Sequence, residues 1–531
     1  MSAFRDPSIA DLLWSTARTR GAAPALVVRG REVGYAALLA RTAAIASALV
    51  TAGLEPGDRV AIMLENGADA VAGFFGVVAA GGIAVVLNGL LRPRQIADLL
   101  EDSGATLLLT STHDAAGHPA WAGKSCRVLL VGDISVAGDF APVTRRDADP
   151  AQIVYTSGST GPPKGVIVTH ANLHAATRAV TSYLGIVPTD RIAGLLPFSF
   201  VYGMSQVLCA VASGASLIVE RSPLAPRLVS ELRAQRVTVL AAVPPLWLQL
   251  LGVPGFRAEP LPHLRVMTNA GGPLPVAGVR GLREAQPQAQ LFLMYGLTEA
   301  LRCTYLPPEE VDRRPDSIGR AIPGAEVMVL GDDLAPCGPG EVGELVYRGP
   351  TVALGYWNDP TATSRVFRPH PLRAPAVPDA ERVVFTGDLV RQDDAGFLYY
   401  VGRRDRMIKT LGYRVSPDEV AEVIYASGEV TDCVIGAEPD DLRGQRIVAH
   451  VVLVSGGSLE RLQRHCGIEL PRYMQPARFA PRDALPRLPN GKHDLAALGA
   501  MPDRQSFHSS NDLEADTMGS ATPLPHAKRP N

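Results

Sequence analysis

The sequence predicts an α/β fold: a large N-terminal domain of α/β subdomains, followed by a small α+β domain. Three observations lead there. At 531 residues the chain exceeds the size at which one hydrophobic core stops growing. Helical and strand patterns alternate from the N-terminus to Val401, which implies a layered sheet. Near Gly402 the texture changes, with "GRRDRMIKTLGYRVSPDEV" packing five arginines or lysines around a turn.

In chain order, "ALLARTAAIASALVTAG" places apolar residues at helical spacing and stops at Gly53, and "GDRVAIML" then reads as a buried strand. "AVAGFFGVVAAGGIAVVLNGLL" is broken by glycines and reads as a buried helix running into a strand. Its length makes a membrane span the competing reading, against which stand Asn66 and Asp69 at its start and Asn88 at its end. "ASLIVE", "VTVLAAVP" and "HLRVMTNAGG" have the length and turn signals of core strands. Beyond Gly402, Ser416, Pro417 and Glu419 form a capping signature for a helix that buries Val420, Val423 and Ile424 and ends near Gly428. The domains are therefore expected at 1–401 and 402–502. The tail 503–531 has almost no apolar content and is expected to be disordered.

Composition narrows the function classes. Hydrophobic residues make up 47% and charged residues 20%, and the formal net charge is −2, as in ordinary globular proteins, so no nucleic-acid partner is suggested. The six cysteines show no C-x-x-C pair and no zinc spacing, which fits free thiols in a reducing cytoplasm. The N-terminal "MSAFRDPSIADLLW" interrupts any signal-peptide apolar run with an acid and a proline.

The most informative stretch is "YTSGSTGPPKG", from Tyr155 to Gly165. Ile153 to Tyr155 read as the end of a strand and Val166 to Thr169 as the start of the next. A Walker P-loop is thus disfavoured, because Gly165 follows Lys164 and no helix opens at the loop. What remains is a glycine and hydroxyl loop whose amides can surround phosphates, with Lys164 adding charge. Taken alone, the same composition also describes a flexible linker.

Four further stretches follow in order: "MYGLTEA" (Met294 to Ala300), "TGDL" (Thr386 to Leu389), "GRRD" (Gly402 to Asp405) and "LPNGKHD" (Leu488 to Asp494). With the loop they resemble the adenylate-forming superfamily of acyl-CoA synthetases, adenylation domains of non-ribosomal peptide synthetases and beetle luciferases. The likeness runs from about Asp11 to Leu498. It implies an acyl-CoA synthetase-like fold whose small C-terminal domain is mobile. It also implies ATP-dependent activation of a carboxylic acid to an acyl-adenylate, with release of pyrophosphate and transfer of the acyl group to a thiol.

The same resemblance implies residue roles. Thr156, Ser157, Gly158, Ser159, Thr160, Gly161 and Lys164 would hold the phosphates of ATP. Thr298 would contact phosphate and Glu299 would ligate Mg2+, a hard cation suited to carboxylate and phosphate oxygens. Asn269, Ala270, Gly271 and Gly272 would line the adenine site, with Met294, Tyr295 and Gly296 beside it and Tyr295 stacking on the base. Asp388 would accept hydrogen bonds from the ribose diol, and Arg403 would reach ribose or phosphate. Asp405 would be the hinge of the small domain. Lys492 would neutralise charge building between carboxylate and α-phosphate. Gly412 would line the thiol channel, and Lys409 would serve the second half-reaction.

For the substrate, the resemblance implies a pocket lined by Ser199, Phe200, Gly203, Met294, Arg302 and Cys303. Amino-acid-activating relatives carry an aspartate in the stretch matching "LPFSFVYGM" to pair with the substrate ammonium, where this chain has Ser199, Phe200 and Val201. Many coenzyme A ligases carry a histidine near Phe200, also absent here, and exosortase-associated and prolyl-ligase relatives often have the acid at the position of Val201. The absence of the acid favours an uncharged acyl group, since a buried ammonium without a partner is costly. An inward-facing Arg302 would bind a second carboxylate or a phosphate, whereas a surface or structural salt bridge is the plainer expectation for it. "MYGLTEALRCTYLPPEEVDRRPDSIGRAIP" and "VALGYWNDP" look most like acyl-CoA ligases associated with exosortase A and exopolysaccharide clusters, and like stand-alone prolyl carrier-protein ligases. No carrier segment is visible after Lys492, so the thiol is expected on coenzyme A or on the phosphopantetheine of a separate carrier protein. A non-catalytic nucleotide-binding homologue and a luciferase-like oxygenase rank below these.

Overall fold

The computed structural model describes residues 8–89, 91, 93–111, 126–135, 139–156, 163–220, 224–372, 381–404, 406–410, 413–440, 444–488, 491–499 and 507–508. The chain divides into two compact units, Met1–Val401 with Leu488–Lys492, and Gly402–Arg487 with His493–Asn531.

In the first unit, the helix Tyr35–Thr51 buries Leu38, Thr42, Ile45 and Leu49, one apolar stripe at helical spacing. It stops where Gly53 adopts φ +92°. The helix Ala68–Ala79 is buried on every side from Ala70 onward. It approaches the first helix through Gly76, where an added Cβ would sit 2.9 Å from Ile45 Cγ2. Among the described residues no helix is long and apolar enough to cross a membrane; the apolar tract is this core helix followed by the strand Ile83–Val86.

Two sheets organise this unit. In one, of seven described strands, Ile83–Val86, Arg59–Met63, Leu107–Thr110 and Arg127–Leu130 run parallel. On its other flank Pro150–Thr156 and Lys164–Thr169 form an antiparallel pair, with Thr156 opposite Lys164. The second sheet, of 14 described strands, sets Val239–Ala242, Val266–Asn269 and Gln290–Tyr295 side by side and parallel, with Ala242 level with Asn269 and Asn269 level with Leu293. Parallel strands covered on both faces read as short continuous apolar runs, as these do. The sheet continues antiparallel through Thr304–Leu306, Ser317–Ala321, Leu398–Arg403 and Arg382–Gln392.

The second unit is an α+β body. A long hairpin of Val430–Asp440 and Gly444–Leu453 pairs in parallel with Arg478–Pro481. The helices Pro417–Ala426 and Leu459–Glu469 bury Val420, Ile424, Leu462 and Cys466 against it. Ser416 Oγ accepts from Glu419 N at 3.3 Å, as an N-cap must to satisfy an orphan amide.

Candidate active site

Ligand sites in open parallel sheets form at the carboxyl ends of the strands. Asn269 ends one such strand and Tyr295 ends its neighbour. Past Asn269 the chain turns at Ala270 and Gly271, the latter at φ +88°, a conformation only glycine takes without strain. The Asn269 side chain is buried. Its Nδ2 donates to Gly272 O at 3.3 Å, while its Oδ1 has no hydrogen-bond partner. An orphaned buried acceptor at this place fits a ligand bearing an amino donor, as adenine does.

The Tyr295 hydroxyl donates to Asp388 Oδ2 in a short hydrogen bond. Burial, and then the Asp388 charge, push the Tyr295 phenol well above its ordinary pKa, so it stays a donor. Asp388 is itself buried. Its loop is pinned by Gly387 N donating to Glu344 Oε1 at 2.9 Å and Thr386 Oγ1 donating to Leu345 O at 2.7 Å.

After Tyr295 the chain folds tightly. Thr298–Ala300 form one 3-10 turn, and Leu301 then takes φ +51°, ψ −62°, with Arg302 N donating to Ala300 O at 2.5 Å. This is a γ-turn with positive φ, strained for a branched residue. Gly296 makes room for it: an added Cβ would lie 2.7 Å from Leu301 O. The turn leaves Glu299 half-buried and carries Arg302 inward to 3% exposure.

Glu299 Oε1 accepts from Tyr356 Oη at 2.6 Å, and Lys164 Nζ lies 5.2 Å from the centroid of the Tyr356 ring. The segment that brings Tyr356 here is tied down at several points. Asn172 caps the helix His170–Leu184 reciprocally with Thr169, and its amide donates to Pro350 O at 2.8 Å and Val352 O at 2.9 Å. Ala353 N donates to Glu299 O at 2.9 Å, and Tyr356 pairs with Val166 in register. Tyr356 thus joins the lysine end of the 164–169 strand to the Glu299 turn. No motif rule points to it; the only signal is its place in "VALGYWNDP".

The donor chemistry fits Mg2+ held by one carboxylate together with phosphate oxygens, which is how this ion usually binds. Glu299 offers its second oxygen. Among the described residues no group of three or more His, Cys, Asp or Glu forms a complete metal cage.

A small cavity of about 20 Å3 lies against the inner side of the turn, lined by Gln152, Leu173, Val180, Val201, Ser205, Leu208, Leu301 and Arg302 among others. The helix Val201–Ser213 presents Val201, Met204, Ser205 and Leu208 to it, the i, i+3, i+4, i+7 face. Arg302 therefore faces inward, and the salt-bridge expectation fails. Ser199, Phe200, Gly203, Met294 and Cys303 do not line this cavity. Phe200 and Gly203 lie off that helix face, and Gly203 is where the helix start meets Pro197. Met294 Sδ accepts from Tyr183 Oη at 3.1 Å, and Cys303 is wholly buried.

Of the other expected site residues, Thr156 is half-buried at the strand end, with its hydroxyl 3.4 Å from Lys164 O. Ser157, Gly158, Ser159, Thr160, Gly161, Asp405 and Gly412 lie outside the described residues. Arg403 ends the strand Leu398–Arg403. Arg487 and His493, both of the second unit, pair as an antiparallel bridge at the two ends of the segment Leu488–Lys492, which is counted with the first unit; Lys492 is exposed and follows Gly491 at φ +83°. Asp432 grips both arms: it accepts from Arg487 Nη2 at 2.6 Å, His493 Nε2 at 2.9 Å and Tyr425 Oη at 3.1 Å.

Comparison with known proteins fits this geometry. Residues 13–357 match the AMP-binding enzyme family, and residues 419–492 match the AMP-binding enzyme C-terminal domain. The chain is 33% identical over 483 residues to a component of linear gramicidin synthase from Brevibacillus parabrevis, covering 90% of this chain but spanning only 9% of that relative. It is 30% identical over 493 residues to an L-proline--[L-prolyl-carrier protein] ligase of Pseudomonas fluorescens, covering 89% of this chain and 95% of the relative. Its fold matches that of o-succinylbenzoate CoA synthetase (MenE) from Bacillus subtilis, solved with the acyl-adenylate OSB-AMP. The TM-score is 0.82 and the identity 26%, over 93% of this chain and 99% of the other. The chain therefore belongs to the AMP-binding enzyme family, the adenylate-forming ligases.

Proposed function

We propose that this ligase adenylates a carboxylic acid with ATP and passes the acyl group to coenzyme A, in the cytoplasm. One observation carries the reading: an unsatisfied acceptor at Asn269, the Tyr295–Asp388 pair and the Glu299–Tyr356 pair stand along one edge of the strand ends. These are the groups a purine, a ribose diol and a metal-bound triphosphate need, in that order.

In this reading the substrate carboxylate attacks the α-phosphate of ATP; an acyl–phosphate bond forms and the bond to pyrophosphate breaks. Bound Mg2+ would supply charge neutralisation on the phosphates. Glu299 would hold the ion, kept in orientation by Tyr356. Lys164, with the Thr156 to Gly161 loop, would retain the departing pyrophosphate. Asp388 would fix the ribose, while Tyr295 covers the base and Asn269 Oδ1 accepts from its amino group. Thr298 would hold phosphate, and the Lys492 ammonium would meet the charge at the reacting oxygens. Domain limits at 1–401 and 402–502, with Arg403 and Asp405 at the joint, belong to the same proposal.

The acceptor separates two readings. The fold neighbour MenE is a CoA synthetase, which supports coenzyme A; the Pseudomonas relative is a carrier-protein ligase, which supports a separate carrier. Val201, in place of an acid, favours a non-amino acid in either case. The test is carboxylate-dependent pyrophosphate release across fatty, aryl, dicarboxylic and amino acids, with Lys492→Ala as control, followed by acyl transfer to coenzyme A and to a phosphopantetheinylated carrier. Release undiminished in Lys492→Ala, or none with any acid, would refute adenylation through this site. Transfer to the carrier alone would replace coenzyme A as acceptor.

A further inference from the structure

Arg302 is the anomaly of the first unit. Arginine is a cation at every pH the protein meets, and taking such a charge out of water is costly unless an anion or a full set of acceptors replaces the solvent. Arg302 is 3% exposed. Its Nε is buried without a hydrogen-bond partner, and among the described residues no carboxylate pairs with it. Its guanidinium lies over the face of Tyr202, whose ring centroid is 5.0 Å from the guanidinium carbon.

The groups around it are neutral. The Tyr202 hydroxyl is committed to Thr268, 2.9 Å from the carbonyl and 2.6 Å from Oγ1, and burial pushes its pKa up to about 12. Burial likewise pushes the Cys209 thiol up to about 12. The Tyr183 hydroxyl is committed to Met294. A cation–π contact offsets part of the desolvation, but it does not supply a negative charge.

The strained turn at Leu301 is what points the residue inward, and the cavity it reaches contains Gln152, Ser205 and Thr177 as further polar groups on a mostly apolar wall, the Thr177 hydroxyl being committed to Leu173 O at 2.7 Å. Where amino-acid-activating relatives are expected to carry an acid, the same wall has Val201. The charge of the pocket is thus inverted: no anion to meet an ammonium, and one unpaired cation.

We infer that the acyl substrate carries a second carboxylate, distal to the one that is adenylated, and that Arg302 binds it through its two-pronged guanidinium. This rests on the proposed adenylation. The substrate class is short dicarboxylic acids, because the space beside Arg302, about 20 Å3, suits a small terminal group rather than a long chain. A planar carboxylate matches the guanidinium fork better than a tetrahedral phosphonate or sulfonate does.

The experiment uses the full chain and matched acids: succinate against butyrate, glutarate against valerate, and 3-phosphonopropionate and 3-sulfopropionate as other anions. Pyrophosphate release is measured for the wild type, Arg302→Met and Arg302→Lys. Thermal shifts by the same acids are recorded for each protein without ATP. The expected result is at least a roughly tenfold preference in kcat/KM for the dicarboxylate of each pair. That preference should be lost in Arg302→Met and partly kept in Arg302→Lys, with dicarboxylates raising the Tm of the wild type alone. Arg302→Met should also unfold at a higher temperature than the wild type when no acid is present, since it no longer buries an unpaired charge. Preference for the phosphonate or sulfonate would overturn the carboxylate assignment. Release fastest with monocarboxylates, in a ratio unchanged by Arg302→Met, would overturn the anion site while leaving adenylation intact. Silence with every acid would count against adenylation, and the thermal shifts would then decide the anion site: no Arg302-dependent shift overturns it.

Discussion

Asp432→Ala tests whether the Lys492 turn is held from below. Asp432 accepts hydrogen bonds from Arg487 and His493, the residues flanking the turn, and from Tyr425. Burial alone would raise the Asp432 pKa. The hydrogen bond from His493, with the charges of His493 and Arg487, holds it below the ordinary carboxylate value, so the clamp is in place at neutral pH and is lost on acidification. Removing one partner of a buried ion pair costs about 3–5 kcal/mol. The side chains here are 17%, 30% and 25% exposed for Asp432, Arg487 and His493, so solvent screening lowers the expectation to about 2–3 kcal/mol. Urea unfolding reads that term. If the clamp also aims Lys492, pyrophosphate release should fall about 10- to 100-fold with little change in KM for ATP. A structural role alone would give the same loss in a Lys492→Ala background. Positioning predicts that Asp432→Ala costs almost nothing further there, and equal losses in both backgrounds would refute it.

Three other outcomes follow from the same geometry. Gly203→Ala places a Cβ 2.1 Å from Pro197 O, a backbone atom that cannot step aside, and should destabilise the first unit by about 1–3 kcal/mol in denaturant titration. Tyr356→Phe removes the hydrogen bond that orients Glu299; the Mg2+ concentration for half-maximal pyrophosphate release should rise about tenfold while Tm stays nearly constant. Burial, with the nearby Arg145 charge, holds the His170 imidazole neutral with a pKa down at about 4 against an ordinary 6.5. Its contribution is therefore complete above pH 6.5 and drains away as pH falls toward 4, amounting to about 3 kcal/mol. His170→Asn should flatten that part of the stability profile in urea titrations at pH 7 and pH 4.5, and an unchanged slope would contradict it.

The sequence is legible where local signals decide. Helix stripes ending at a glycine and short β-branched runs locate Tyr35–Thr51, Arg59–Met63, Val239–Ala242 and Val266–Asn269, because each depends on its own periodicity and end chemistry. It is poorly legible where partners are distant in the chain. The antiparallel half of the large sheet pairs Ser317–Ala321 with Leu398–Arg403, a register no local pattern encodes. Nothing about Leu301 announces a positive φ; tertiary packing imposes it. The fate of Arg302 is equally hidden, since burial or a salt bridge depends on what the 201–213 helix and the strand Pro150–Thr156 place beside it. Likeness to a family picks out Tyr295 and Asp388 one by one, and their hydrogen bond across 93 positions emerges only in three dimensions.

The amide of Asn172 reaches across 178 and 180 positions to two carbonyls, while its carbonyl oxygen closes a helix cap. Pro350–Leu354 is a loop that leads into the short strand Gly355–Tyr356, yet it behaves as a strut. Such a brace transmits load: a disturbance at the start of the His170–Leu184 helix is felt at Tyr356 without any change in the residues between. Asn172, eight residues beyond Lys164 and lacking chemistry of its own, thus ties the Pro350–Val352 backbone to the start of that helix.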